Sequence, residues 1–465
     1  MLFAVALVLA LFNTGQMTSE KMRLDNTADA AAYSGMVWQA RSLNFDAYTN
    51  RAMVANQVAI AQFVSIVSWS NYLQIATQNL ATITSFIPYL NAVTNAMAQA
   101  ASTLSNIAQT VARIAIPVLD TLIDVLSASQ TAVQGAAVVA TTDIVQEVVR
   151  QNDPQYSLSA TTYGFLALNA VQWLNFTEQY SANAMQTRMQ DVTMRSRDGF
   201  TSNRGWQFNG PDIGIASVRI IKGGDTRQLS LGDATSRTDS NLDWEWKAKD
   251  TLSLHFRWRC PTFTNPGRWC NSETPMGWGA AYASTTGQDF CSYWDNSGNC
   301  GNLTWTANGS AEYLAEAYSP TSLNGYHGVR PYRDVAGLNV DEIDESTHDP
   351  RLSLTVEVYK PGTAVRTSTI AGIGSPGDPQ AARNGIGPGM FRLNDNFAGG
   401  NMSAISKAEV FFRRPDSRNE YANLFNPYWD VHLISSRTER VASWALKGVL
   451  DFTGSVGGGG VVPGL

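Results

Sequence analysis

Histidine is nearly missing from this chain of 465 residues: there are four, far apart at positions 255, 327, 348 and 432. That scarcity leaves no room for a histidine-rich metal enzyme. Charge is scarce as well, at 15% against the roughly 25% of an ordinary globular protein. The 33 basic and 39 acidic residues give a net charge of −6. No basic footprint for nucleic acid results, and no like-charge run reaches the length of an interaction tail. There is no Walker A loop, no nucleophile elbow and no HExxH pair. Gly372-Ile-Gly-Ser-Pro-Gly377 spells a dinucleotide fingerprint, but Pro376 and the following Asp378-Pro379 deny it the helix it must open. We read it as a loop.

The deficits are uneven. Between Arg51 and Arg113 there is no Asp, Glu, Lys or Arg, and between Gly35 and Gly135 no glycine. Residues 1–204 hold five of the 37 glycines, whereas eight of the 13 tryptophans fall between Trp206 and Trp305. The length allows about two or three domains, and composition shifts at Arg204-Gly205-Trp206. The first half predicts helices. Val54, Val58, Ala61, Val64 and Val67 recur at three- and four-residue steps. Pro88 and Pro117 are expected to break or kink the run, Asn152-Asp153-Pro154 is a turn, and a further helix is expected over 159–197. Uncharged helices have two readings: burial or inter-subunit packing, and a neutral solvated face. The small and neutral side chains favour the first.

The second half predicts strands. Leu252, Leu254, Phe256 and Trp258 alternate with Ser253, His255, Arg257 and Arg259; Leu352, Leu354, Val356 and Val358 alternate with Ser353, Thr355 and Glu357. Ala408–Phe412 and Trp429–Leu433 repeat the pattern. Period two predicts antiparallel sheet with one buried and one solvated face, and makes His255 a solvated sheet residue. A last helix is expected over 436–450. The fold class is therefore α+β, in four segments: an apolar N-terminal helix over 1–50, a helical region over 51–204, an antiparallel β-rich domain over 205–435, and a C-terminal helix with a Gly-rich tail over 436–465.

Met1–Phe12 is an uninterrupted apolar run, short of the roughly 20 residues that cross a bilayer, although the uncharged stretch continues to Ser19. No basic residue precedes it, so a processed N-terminus fits better than a signal peptide. We expect Leu2, Phe3, Val5, Leu7, Val8, Leu9, Leu11 and Phe12 to drive assembly. At roughly 2 kcal/mol each, their burial is worth on the order of 16 kcal/mol before entropy costs.

The run, a short polar break, and then Arg23-x-Asp25-Asn-Thr-Ala-Asp29-Ala-Ala-Ala resemble the start of TadE/TadG-like Flp/Tad pilus-assembly proteins. Ser42-Leu-Asn-Phe-Asp-Ala-Tyr and, far downstream, Ala408–Pro415 with Ala422–Trp429 are similar to the larger TadG-like members. The resemblance implies a Gram-negative envelope protein with a type-IV-pilin-like N-terminal helix. It would be held in the inner membrane before assembly, have the Tad/Flp machinery and its own copies as partners, and reside extracellularly at the cell surface. Residue 5 is Val where pilins carry Glu. Some members hold a von Willebrand A metal site; Asp295-Asn-Ser-Gly-Asn299 lacks its final Ser and reads as a loop.

The leading expectation is a non-enzymatic structural subunit of a surface filament that needs no cofactor and binds no nucleic acid. The alternatives are an inner-membrane-anchored periplasmic assembly factor and an adhesin whose loops present Trp269, Trp278, Trp294 and Trp305. Five carboxylates in 341–349, with Asp341, Asp344 and Asp349 foremost, supply hard oxygen ligands that could hold Ca²⁺; the plainer reading is a solvated acidic loop. Arg188, Arg195, Arg197 and Arg204 are expected to be solvated or salt-bridged. Cys260, Cys270, Cys291 and Cys300 lie within 41 residues. In an exported domain they imply disulfides. The turn-rich segments between near neighbours favour Cys260–Cys270 and Cys291–Cys300 over the two crossed pairings.

Overall fold

A computed structural model describes residues 2–181, 183–232, 242–262, 264, 267–290, 305–318, 320–336, 349–361, 364–365, 368–369, 372–373, 401–416 and 420–443. Two long helices come first: α1 (Leu2–Ile83) and α2 (Pro88–Asn152). Then follow β1 (Ser157–Leu158), α3 (Ala160–Phe176), β2 (Thr177–Tyr180), α4 (Asn183–Arg195) and α5 (Gly199–Ser202). The β-rich part holds β3 (Trp206–Asp212), β4 (Ala216–Leu231), β5 (Asp243–Arg259), β6 (Trp269–Ser284), α6 (Gly309–Tyr318), β7 (Pro320–Ser322) and β8 (Tyr332–Val335). Last come β9 (Leu352–Pro361), β10 (Ser368–Thr369), β11 (Gly372–Ile373), β12 (Asn401–Phe412) and β13 (Trp429–Ile434). Helices followed by largely antiparallel sheets confirm the α+β class, with β6–β7 as a parallel pair.

Contacts divide the chain into two discontinuous units, one of residues 1–48, 130–178 and 334–465, the other of residues 49–129 and 179–333. They cut across the four sequence segments, because long helices contribute residues to both. Pro88 does separate the helices. It sits at the first position of α2, where its missing N–H is no loss. Pro117 lies inside α2 without ending it. The helix expected over 159–197 is two helices with β2 between them.

In the first unit, β9 lies between β1 and β12, and β13 pairs with β12, all antiparallel. Leu352, Leu354, Val356 and Val358 are buried as the alternation predicts, but Thr355 and Glu357, expected on a solvated face, are buried as well, and Thr161 Oγ1 and Ser443 Oγ donate to Glu357 Oε2. They join Leu24, Ala28, Met36 and Leu43 of α1, Val145 and Val149 of α2, and Leu166 and Trp173 of α3 in one core. Close approach is needed here: a Cβ at Gly35 would lie 2.9 Å from Val145 Cγ2 and 3.0 Å from Leu354 Cδ2. Ser159 caps α3, its side chain accepting from Thr162 N. Neutral polar groups pair inside this core. Trp173 Nε1 donates to Gln134 O at 3.0 Å, and Gln134 Nε2 returns a bond to Trp173 O at 3.2 Å.

In the second unit the sheet order is β3-β4-β5-β6-β7. The middle strand β5 is buried on both faces along its first half. On one face it meets α1, where Gln57 Oε1 accepts from Trp246 Nε1 at 2.9 Å and from Tyr326 OH at 3.1 Å, while Gln57 Nε2 donates to Gly328 O. Ser68 Oγ donates to Asp250 Oδ2 at 2.7 Å, and Asn71 Nδ2 to Thr321 Oγ1 at 2.8 Å. The uncharged stretch of α1 is thus buried within its own unit: Gln, Ser and Asn satisfy neighbouring strands without the desolvation cost of a charge. A Cβ at Gly279 of β6 would lie 2.4 Å from both Ser68 O and Tyr72 N, so only glycine lets this strand cross the helix.

One alternation is corrected. Leu252, Leu254, Phe256 and Trp258 were expected to face a core, yet Phe256 and Trp258 are about two-fifths exposed, at 41% and 40%. Ser253 is fully buried, and the half-buried His255 has its Nε2 2.8 Å from Asn308 Oδ1. The covering elements, α6 and the segment around Asn308, pack on the polar face of this strand.

Candidate functional site

The N-terminal end of α1 is the strongest candidate for a working surface. Helix begins at Leu2, and Leu7, Val8 and Leu11 are more than half exposed although they are among the most apolar residues of the chain. Phe12 is half-buried and Asn13 buried. The side chains of Leu2, Phe3, Val5 and Leu9 lie outside the described residues. Between Leu11 and Ile83 the helix also contains a window long and apolar enough to cross a membrane by length and composition, half of it buried within the fold. The first charges after the run are held on the unit's own surface. Lys21 Nζ contacts Asp25 Oδ1 at 2.8 Å and donates to Ser403 O at 2.7 Å, while Glu20 Oε2 takes Lys360 Nζ at 2.8 Å. Such a helix, apolar at its free end and fixed by ion pairs behind it, suits insertion between other apolar helices or into lipid.

The two stretches that carried the family resemblance meet in the first unit. Asn44 Nδ2 donates to Trp429 O at 2.9 Å and Trp429 N donates to Asn44 Oδ1 at 3.1 Å. Around them, Asn423 Oδ1 accepts from Phe425 N and Asn426 N, and Trp429 Nε1 donates to Asn423 O. These are turn-forming and strand-docking roles.

The second unit holds ion clusters that sequence reasoning missed. Asp250, fully buried, is gripped by Arg204, whose Nε and Nη2 each lie 2.9 Å from one carboxylate oxygen, and by Lys222 Nζ at 2.7 Å. On the opposite face Lys247 meets Asp289 at 2.5 Å and Glu316, and Lys249 Nζ lies 2.8 Å from Glu316. Burial works against the charge of Lys247, but Glu316, Asp289 and Glu245 outweigh it and hold its pKa above the ordinary value. Lys249 and Lys222 are depressed, first by burial. Burial pushes Glu245 up to about 8; Lys247 opposes the shift and Asp289 adds to it. The missed signal was the run Glu245-Trp-Lys-Ala-Lys-Asp250, where charges and apolar residues alternate and both sets are buried. These groups are paired with one another, which marks a structural network.

Cys260 and Cys270 form a disulfide with Cα atoms 5.7 Å apart, as expected; Cys291 and Cys300 lie outside the described residues. Of the calcium candidates, Asp349 is ion-paired with Arg351 at 2.6 Å, and Asp341 and Asp344 lie outside the described residues. Among the described residues, no group of three His, Cys, Asp or Glu is arranged to hold a metal. Trp269 lies beneath Arg257 and Arg259, and Trp305 beneath Lys249 and Arg227. Those two faces are taken by cations. Trp278 is half-buried, and Trp294 lies outside the described residues. Arg197 and Arg204 are salt-bridged to Asp225 and Asp250.

Residues 1–41 match the family model described as "Putative Flp pilus-assembly TadE/G-like". No curated protein matches the chain, and no solved structure does. The match covers 41 of the 465 residues and runs along the N-terminal part of α1. With an apolar N-terminal helix, the chain fits a surface or membrane-anchored location.

Proposed function

We propose that this chain is a non-enzymatic, pilin-like structural subunit of a Tad/Flp-type surface filament. Its N-terminal helix would be the lateral contact with further copies, and its β-rich part the outward-facing mass. The observation that carries the reading is the exposure of Leu7, Val8 and Leu11 on a helix that continues without a break into folded units. Exposed apolar side chains in one stripe require a partner. Neutral polar packing along α1 after Arg51 and the paired state of the buried ions of the second unit support a structural over a catalytic role. No cofactor is needed in this reading.

A second reading rests on the same exposed apolar end of α1, whose Leu7, Val8 and Leu11 suit lipid as well as neighbouring helices. In it, the same helix keeps the chain in the inner membrane as a periplasm-facing assembly factor. Electron microscopy of the purified native protein distinguishes the two. Filaments built from this chain alone support the subunit reading. Particles that stay monomeric and disperse only in detergent overturn it in favour of the anchored factor.

A further inference from the structure

Helix α2 carries an apolar face that its own unit does not cover. Leu90, Met97, Leu104, Val111, Val118 and Val125 recur every seven residues, and all are substantially exposed, from 39% at Leu104 to 63% at Val118. Val93, Ile107 and Ile114 fall three residues after members of this set, with exposures of 58%, 56% and 66%. This is the a/d pattern of a coiled-coil seam. The buried face of the same helix lies elsewhere, along Ala101, Ser105, Ala108, Ala112 and Ile116. A third face is polar, with Thr103, Asn106, Thr110 and Arg113 exposed.

We propose that the α2 seam from Leu90 to Val125 docks against the same seam of a second copy of this chain. Three features select that occupant. The repeat is seven residues, not 3.6 per turn, so on a straight helix the seam drifts by about 20° per heptad. A supercoiling helix follows that drift, whereas a flat sheet or bilayer surface does not. The flanks are neutral along most of the seam: no Asp, Glu, Lys or Arg occurs from Leu90 to Ala112, and beyond it Asp120 is buried while Arg113 and Asp124 lie on the polar side of the helix. Identical copies of a chain with net charge −6 therefore meet there without like-charge repulsion. The extent is also sufficient. Thirty-six residues at about 1.5 Å each give a seam about 54 Å long, and at about 10 Å wide it covers about 500 Å² per copy. Two copies bury about 1,000 Å², which reaches the size of a specific interface.

The proposal deepens the subunit reading and rests on it for the presence of neighbouring copies, but its contact is separate from the N-terminal helix. Cysteine cross-linking in the full-length assembled protein tests it. Ile107 is near the middle of the seam, so in either strand direction it meets its own copy. Ile107→Cys should yield a reducible dimer under mild oxidation, and Thr110→Cys, on the polar face, should not. With Ile107→Cys positive, dimer at Val125→Cys assigns parallel pairing and its absence antiparallel pairing; both support the seam. Ile114→Glu in the Ile107→Cys background should cut cross-linking about tenfold, with the helical circular dichroism of the parent retained. No dimer at Ile107→Cys in protein that still forms filaments overturns the seam and leaves the subunit reading standing. Cross-linking of Ile107→Cys to a different protein overturns the choice of a second copy. Loss of filaments from the unmutated protein contradicts the subunit reading instead.

Discussion

Asn44 on α1 and Trp429 at the start of β13 exchange two hydrogen bonds, side-chain amide to strand backbone, across 385 residues of sequence. The contact closes the first unit by tying its earliest helix to its last strand. A side-chain amide completes the edge of a strand that would otherwise leave a donor and an acceptor without partners.

Asn44→Ala removes both bonds and strands Trp429 N and O. The expected loss is about 1–3 kcal/mol. Asn44→Asp keeps the acceptor and lacks the donor, so it should fall between Ala and the parent. Urea unfolding followed by Trp fluorescence reads the order; equal stability for all three would show the contact to be energetically idle.

Asp250 is buried with two cations on it. Asp250→Ala leaves Arg204 and Lys222 in the interior without their carboxylate, and the expected cost is about 3–5 kcal/mol. A double change of Lys222→Met with Asp250→Ala should recover part of this. Thermal melts of the three variants check it, and a melt of Asp250→Ala within a degree of the parent would contradict the assignment.

Glu245 has its pKa pushed up to about 8 by burial. Because the folded value lies above the unfolded one, the folded chain binds this proton more tightly. The stabilisation is present in full below the unfolded pKa of about 4.5 and is lost as pH rises through about 8. Glu245→Gln removes the dependence. The difference in unfolding free energy between parent and variant should shift towards the variant by a few kcal/mol, in order of magnitude, between pH 5 and pH 9. A difference that stays flat across that range would contradict the raised value.

The Cys260–Cys270 bond closes a loop of about ten residues at the outer end of β5 and β6, worth about 2–3 kcal/mol on the chain-entropy estimate. Cys260→Ser with Cys270→Ser should lower stability by that amount and leave the opposite half of the sheet protected in hydrogen exchange. Non-reducing peptide mapping should recover residues 260 and 270 in one linked peptide. A peptide joining residue 260 to 291 or 300 would contradict the pairing.

What was legible in the sequence follows from how many forces act on each residue. The strand with Leu352, Leu354, Val356 and Val358 has its apolar face placed by the period-two pattern, but its other face is covered too, with Thr355 and Glu357 buried, because distant hydroxyls satisfy Glu357. The strand with Leu252 to Trp258 was misplaced on its faces. There Ser253 donates to Glu273 of β6 and Lys249 pairs with Glu316 of α6, so both are buried, and such distant partners leave no local pattern. The long helices were legible from absent glycine and proline. The interruption at β2 was not, because Thr177–Tyr180 has no breaker residue. The exposed seam on α2 is written plainly in its spacing, yet apolar residues at helical intervals look alike in sequence whether their own chain covers them or not.

Sedimentation of the full chain against a variant lacking residues 1–12 decides whether the N-terminal apolar helix carries assembly. The full chain should form large, sedimenting assemblies, and the truncated one a soluble, folded species no larger than a dimer. Truncated protein that still sediments as assemblies of the same size would contradict this and move cohesion to the α2 seam or the β-rich part.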